Sequence, residues 1–362
     1  MEVKKKGPAQ EKEGALPKLT PPSQTPTARS ADLPSSGGAG CIAQNLSIFS
    51  STDPLASNLR GGRIMTGSTS HRWILFSFDD GPHLLYTPIL LEELAAAEVR
   101  ALFFFIASQF DEKTPYERRL AQIAKKTAEQ GHFIGSHSFA HIPLSQLRPK
   151  EFPQAIDRAN DVFKALFGAA PALFRPPGGR RTPQSDAYLA ERGLTQVLWN
   201  IRSGDIEART SSEILATFRR NLLAIEKKGE RGGIVLLHDN HKRSVEAFSR
   251  ILAYLELRNC QFLKEGEELY DFIDDPALFF EKGSADGSPS DFASPQIPRW
   301  LLALRQARAR ERAQKRCAQQ DALLAILRGN GSYRQLFRSP LSSKRPLQSN
   351  QSNQSNQHST LK

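Results

Sequence analysis

Long apolar runs are missing from this chain of 362 residues. A membrane-spanning helix needs about 20 mostly apolar residues, and the longest apolar stretch, ALFFFIA over 101–107, is only strand-sized. The start MEVKKK has the basic character of a signal peptide, but GPAQEKEG follows where an apolar segment belongs, so no export signal is readable. Cys41 follows GGAG without the apolar segment a lipoprotein signal requires. Cysteine is scarce too. Cys41, Cys260 and Cys317 lie far apart, which excludes the dense disulfide framework of small secreted domains and a thiolate zinc site, and leads us to expect buried or free thiols. Apolar residues make up 39% of the chain, low enough that part of it is expected to stay out of any packed core.

Charge is abundant and unevenly placed. The net charge is +11, and residues 299–346 hold twelve Arg and Lys against Glu311 and Asp321, whereas residues 71–298 sum to −3. The basicity therefore belongs to an appendage, and an anionic polymer or surface is its expected partner. The basic segment could suggest nucleic acid, but acidic envelope polymers attract Arg just as well, and nucleic acid is not the expected partner.

Composition and periodicity divide the chain into five parts. Residues 1–70 are rich in Pro, Ser, Gly and Thr with no sustained apolar period and are expected to form a disordered arm. Residues 71–275 alternate apolar strand-like runs with helical patterns. The strands are expected at 73–78, 101–106, 133–136, 173–176, 196–200, 233–237 and 261–264, and helices at 87–97, 115–130, 150–166, 211–228 and 243–257. Such alternation indicates an α/β architecture, here a distorted (β/α) barrel of seven parallel strands. Residues 276–298 read as a linker, 299–335 as a basic helical extension, and 336–362 as a low-complexity polar tail. Since every candidate functional group falls within 71–275, that span is expected to fold and act without the rest.

In a parallel barrel, functional groups gather at the carboxyl ends of the strands. Asp79 and Asp80 end the first expected strand, in SFDDGP. Two adjacent carboxylates at a buried strand end repel one another and lose hydration, and a divalent cation is the natural compensation. His137 and His141, in GSHSFAH, fall after the third strand, and a spacing of four lets both imidazoles share one side of a turn. Asp80, His137 and His141 form a three-ligand set that leaves one position open, for which zinc is the best fit. A lone HxxxH is common and carries little by itself. Asp79, free of the ion, suits proton abstraction from water. Arg175, in FRPPGG, is placed to hold Asp79 ionised. His238 ends IVLLHD and suits the role of general acid, oriented by Asp205 in WNIRSGDI. His71, His83 and His132 are expected to serve packing or the surface.

Taken in order, FSFDDGP, GHFIGSHSFAHIPLSQL, FRPPGG, the Asp205 segment and GGIVLLHD resemble the motifs of the polysaccharide deacetylase family, carbohydrate esterase family four, over about residues 72–275. The resemblance implies a metal-dependent hydrolase that removes acetyl groups from amino-sugar polysaccharides such as peptidoglycan or chitin. It implies Asp79 as general base, Asp80, His137 and His141 as metal ligands, Arg175 as the brace of the base, and His238 as general acid. It further implies an oxyanion contact at the Gly178 N–H and an acetyl-methyl pocket shaped by Leu236. The fourth motif departs: where the family usually carries Asp-x-x-Asp-Trp, this chain reads Arg202-Ser203-Gly204-Asp205-Ile206, so Ile206 stands in a groove wall normally built from Trp. Gly178 likewise stands where many members have an aromatic residue. An O-acetyl esterase, a cyclic-amide hydrolase and a glycan-binding pseudoenzyme are the alternatives. The retained Asp79, Arg175 and His238 argue against the last. The family mostly acts outside the cytoplasm, in tension with the unreadable export signal.

Overall fold

The computed structural model describes residues 53–110, 114–279 and 297–337. Its sheet begins with β1 (Ile64–Met65) and β2 (Trp73–Asp79) and continues through β3 (Ala101–Phe105), β4 (Phe133–Ser136), β5 (Leu173–Phe174), β6 (Thr195–Val197), β7 (Ile201–Arg202), β8 (Gly233–His238) and β9 (Asp271–Phe272). Eight strands follow one hydrogen-bonded path, β1-β6-β5-β4-β3-β2-β8-β7, with β9 pairing β2 off that path. All of these pairings are parallel. The expected distorted barrel is present, with more strands than the seven expected, and the path remains open between β1 and β7.

The helices are α1 (Tyr86–Ala97), α2 (Pro115–Glu129), α3 (Arg158–Phe167), α4 (Pro183–Glu191), α5 (Ser211–Glu226), α6 (Lys242–Glu265), α7 (Arg299–Cys317) and α8 (Gln320–Leu327). Local chemistry explains several boundaries. Thr114 Oγ1 accepts from the Glu117 N–H at 3.2 Å and Glu117 returns the bond at 3.1 Å, with Pro115 fixing the first turn of α2. Thr182 and Ser185 exchange the same pair of bonds ahead of α4.

Alternation along the strands sorts the side chains between two cores. Ile74, Phe76 and Phe78 of β2 join Phe103, Phe105, Val235 and Leu237 beneath the helices. Trp73 and Leu75 join Leu102, Phe104, Phe133 and Ile234 on the concave side. Ser77 and Asp79 continue that concave row of β2, so the row turns from apolar to polar at the carboxyl end. The parallel register sets Asp79 opposite His238.

Several expectations are corrected. Residues 261–264 lie inside α6, because their apolar residues continue that helix's buried stripe: Phe262 belongs to the same core as Ile251, Leu252 and Leu255. Of the expected strand 196–200 only residues 196 and 197 are strand, within β6, and β7 begins just beyond it at Ile201. The arm is ordered from Asp53 onward: Leu55, Ala56, Leu59 and Met65 are buried, and β1 pairs with β6. The proposed linker is structured at its start, where Leu278 and Phe279 join the concave core; residues 1–52, 280–296 and 338–362, which include Cys41, the remaining linker and the polar tail, lie outside the described residues. Cys260 and Cys317 are joined in a disulfide with Cα atoms 5.6 Å apart, linking α6 to the end of α7. A separation of 57 residues concealed that pair in the sequence.

The basic extension is helical but does not stand apart. Ala309, Ala313, Leu323, Ile326 and Tyr333 belong to the core beneath α6, and Leu301 to the concave core. Its charge is partly turned inward. Arg305 donates to Asp271 at 2.6 Å and Asp274 at 2.9 Å, and Arg312 donates to buried Glu256 at 2.7 Å. Among the described residues no helix is long and apolar enough to cross a membrane.

Candidate active site

The functional candidates converge at the carboxyl ends of β2, β4, β5 and β8. Asp79 is the last residue of β2 and is 2% exposed. Asp80 takes a left-handed backbone with φ of 70°, which Asp tolerates because its short polar side chain bonds locally. That turn swings its carboxylate away from the strand and toward the loop after β4. Gly81 is required beyond it: a Cβ there would lie 2.2 Å from the Asp239 carboxylate oxygens.

His137 follows β4 and is buried. Its Nδ1 lies 2.7 Å from the Arg175 carbonyl. A carbonyl can only accept, so Nδ1 carries the hydrogen and Nε2 presents a lone pair. That Nε2 sits 3.5 Å from Asp80 Oδ1 and 3.6 Å from Asp79 Oδ2. Burial lowers the His137 pKa against the pull of Asp79 and Asp80, which favours the neutral form a cation binds. His141 has φ of 56° and its N–H donates to Ser138 Oγ at 3.1 Å. This bend brings His141 Nε2 to 3.1 Å from Asp80 Oδ1.

Asp80, His137 and His141 each offer a ligand atom, all within 4.8 Å of one another. Asp80 Oδ1 is buried without a hydrogen-bond partner, an orphaned acceptor that a cation would satisfy. One carboxylate oxygen and two imidazole nitrogens suit zinc or a similar divalent ion. These residues therefore fit a metal.

Asp79 is held from behind. Arg175, fully buried, donates to Asp79 Oδ1 at 2.7 Å and to Ser77 Oγ at 2.8 Å. Its other N–H groups reach the carbonyls of Val197 at 2.8 Å and Leu198 at 3.2 Å. The guanidinium lies 4.1 Å from the Phe104 ring centre and 5.5 Å from that of Trp199. An arginine with so many fixed contacts has no other orientation available, so Asp79 is fixed as well.

On the opposite side, His238 ends β8. Its N–H donates to Asp205 Oδ2 at 2.8 Å, and its Nδ1 lies 3.1 Å from Asp205 Oδ1. Ser244 Oγ and Ser203 Oγ add bonds to Asp205 at 2.8 and 3.0 Å. His238 Nε2 thereby faces the site, 3.9 Å from Asp80 Oδ2. Burial works against the imidazolium, but the bond and charge of Asp205, helped by Asp79 and Asp80, raise the His238 pKa to about 9. Asp205 moves the opposite way: burial opposes its charge, and the contacts from His238, Ser244 and Ser203 lower its pKa.

The remaining candidates frame this centre. Leu236 lies two residues before His238 on the same side of β8 and is nearly buried. Gly178 is exposed with φ of 61° on the loop after β5, and Ile206 is 47% exposed beside Asp205. Arg202 points outward to pair with Glu207.

Several neighbours carry no motif of their own. Ser77 is foreshadowed by strand alternation, two residues before Asp79. Trp199 packs within 3.0 Å of the Cβ position of Gly179 and near Arg175, an aromatic wall that no motif signalled. Asp239 is fully buried beside the centre, accepting from Thr87 Oγ1 at 2.5 Å. Burial raises its pKa to about 7, with Thr87 opposing. Its partner lies across the fold, so no local pattern could mark it.

Residues 66–197 match the family model described as polysaccharide deacetylase. Over that stretch the chain is similar to the polysaccharide deacetylases. A peptidoglycan-N-acetylglucosamine deacetylase of Bacillus cereus is 27% identical over 194 residues, 52% of this chain and 66% of that protein. A chitin deacetylase of Arthroderma benhamiae is 27% identical over 224 residues, 60% of this chain and 57% of that protein. The chain thus spans about two thirds or less of these relatives' lengths. Among solved structures, the chitin deacetylase of Colletotrichum lindemuthianum aligns with a TM-score of 0.47 and 24% identity, covering 53% of this chain and 84% of that one. The deacetylase model stops at β6. Asp205 and His238 lie beyond it, yet they complete the same cluster in space.

Proposed function

We propose that this protein is a metal-dependent N-deacetylase of amino-sugar polysaccharide, peptidoglycan or a chitin-like glycan, releasing acetate. The observation that carries the reading is the pairing of two differently supported groups across one candidate metal centre: a carboxylate braced by a buried arginine and an imidazole braced by a buried carboxylate. In addition to the deacetylase domain match, the named relatives act on peptidoglycan and chitin.

Asp80, His137 and His141 would hold the ion. A divalent cation there supplies Lewis-acid polarisation of the acetyl carbonyl and of water. Asp79, held and oriented by Arg175, accepts the proton of the attacking water. In this reading the Gly178 N–H would stabilise the developing oxyanion and Leu236 would bound the acetyl methyl. His238, held by Asp205, delivers a proton to the departing amine. Water and the acetamide become acetate and a free amino sugar. Ile206 replaces a wider aromatic wall, and the open Gly178 loop leaves room for a broad glycan.

The test is acetate release from chitooligosaccharides and from peptidoglycan, with O-acetylated glycan and a cyclic amide as alternative substrates. Release from N-acetylated glycan is expected. Turnover of only the ester or the cyclic amide would reassign the substrate, and glycan binding with no turnover would leave a binding protein.

A further inference from the structure

Beside the catalytic cluster lies a cavity of about 450 Å³, bounded by Tyr86, Arg209, His241, Lys242, Arg243 and Glu246. Nothing in the deacetylation chemistry above uses it. It adjoins the centre directly: Arg243 Nε donates to the Asp205 carbonyl at 3.0 Å and Arg243 Nη2 to the Ile206 carbonyl at 3.3 Å. Asp205 is the residue that orients His238, and Ile206, which follows it, is exposed. On the other side, Tyr86 stacks on His83 with ring centres 4.4 Å apart, and His83 follows the Gly81-Pro82 turn after the two aspartates.

The cavity's charge is opposite to that of the centre. Arg209 and Arg243 have no carboxylate within salt-bridge distance among the described residues, and Lys242 has only Glu246 at 3.4 Å. Three cations therefore face one acid, next to a centre built from Asp79, Asp80 and Asp205. Three like charges around one depression repel each other, so the arrangement favours an anionic occupant. A neutral glycan would leave these charges to water.

We propose that this cavity is an anion subsite, which takes a carboxylate or phosphate substituent carried by the glycan whose acetyl group sits in the centre. The inference rests on the deacetylase reading and gives its substrate class: an acidic amino-sugar polymer in preference to a neutral one. Arg209 and Lys242 provide the charge, and Arg243 fixes the subsite to the Asp205 loop.

Calorimetric binding to the full-length protein at low salt tests it without needing turnover. The probes are a peptidoglycan tetrasaccharide with free lactyl carboxylates, the same compound with its carboxyls reduced, and a chitotetraose with and without a 6-phosphate. The acidic form of at least one pair is expected to bind about tenfold more tightly than its neutral partner, in line with charge-assisted contacts. Which pair shows the difference identifies the anion. In Arg209→Ala/Lys242→Ala the difference should fall below about twofold, with affinity for the neutral probes kept, and raised salt should erase it. Equal affinity within both pairs, no binding of any probe, or a difference that survives the double substitution would overturn the subsite. If the acidic probe binds more tightly but none of the glycans yields acetate, the deacetylase reading fails and the subsite stands.

Discussion

Asp79 and Asp80 are chemically identical neighbours made different by their surroundings. Arg175 grips the first, while a left-handed backbone turns the second toward two imidazoles. Asp79→Asn should therefore abolish turnover and keep the metal, whereas His137→Ala should lose both. Metal analysis beside acetate release checks this, and a metal-free Asp79→Asn protein would show the two roles wrongly divided. His238→Ala should lose roughly 10²–10⁴-fold in rate, the usual value of a positioned general acid; an unchanged rate would remove it from the reaction. The His238–Asp205 pair also predicts a pH signature in the metal-free protein. The folded pKa of His238, about 9, lies above its ordinary 6.5. Its contribution to stability is thus complete below about pH 6.5 and lost as pH rises through about 9. The Tm of chelated protein should fall across that window, and less so in Asp205→Asn; equal slopes would disconnect the pair from stability. These residues were legible in the sequence because each stands in a contiguous motif at a strand end. Ser77, Trp199, Asp239 and Arg243 were not, since their roles arise from contacts between segments distant in sequence.

At the scale of elements, α7 and α8 change the view of the C-terminal region. Composition presented residues 299–346 as a charged appendage, and the charge count is right. The burial of Ala309, Ala313, Leu323 and Ile326, the Arg305 and Arg312 ion pairs and the Cys260–Cys317 bond depend on partners in β9 and α6 that no local pattern reveals. The same blindness misread 261–264, where an apolar run has the length of a strand and continues a helix. Removing residues 297–362 should strip cover from both cores and yield an unstable or insoluble protein, where sequence alone suggested an independent catalytic span. A soluble truncated protein with full activity on a short glycan would contradict these contacts. Reducing the disulfide, or Cys317→Ser, should cost about 2–4 kcal/mol, as closing loops of this size does, read as a lower Tm in reductant. An unchanged Tm would show the bond contributes nothing. Such bonds persist in oxidising compartments.

For the whole molecule, parallel strands deliver groups from β2, β4, β5 and β8 to one end of the barrel, and the concave row of β2 shows how: apolar at Trp73 and Leu75, polar at Ser77 and Asp79. The α/β alternation and the end of the barrel carrying function were readable from sequence. The strand number and the ordered segment from Asp53 were not, because β1, β7 and β9 are two residues long and carry no period to detect. Deacetylation is proposed to take place at the Asp80, His137 and His141 centre. The most direct measurement is acetate release from an N-acetylated glycan by full-length protein stripped with a chelator and then titrated with zinc. Stripped protein should release none, and recovery should saturate at one equivalent, with none in His137→Ala/His141→Ala. Undiminished release after complete metal removal, or recovery in the variant equal to wild type, would contradict it.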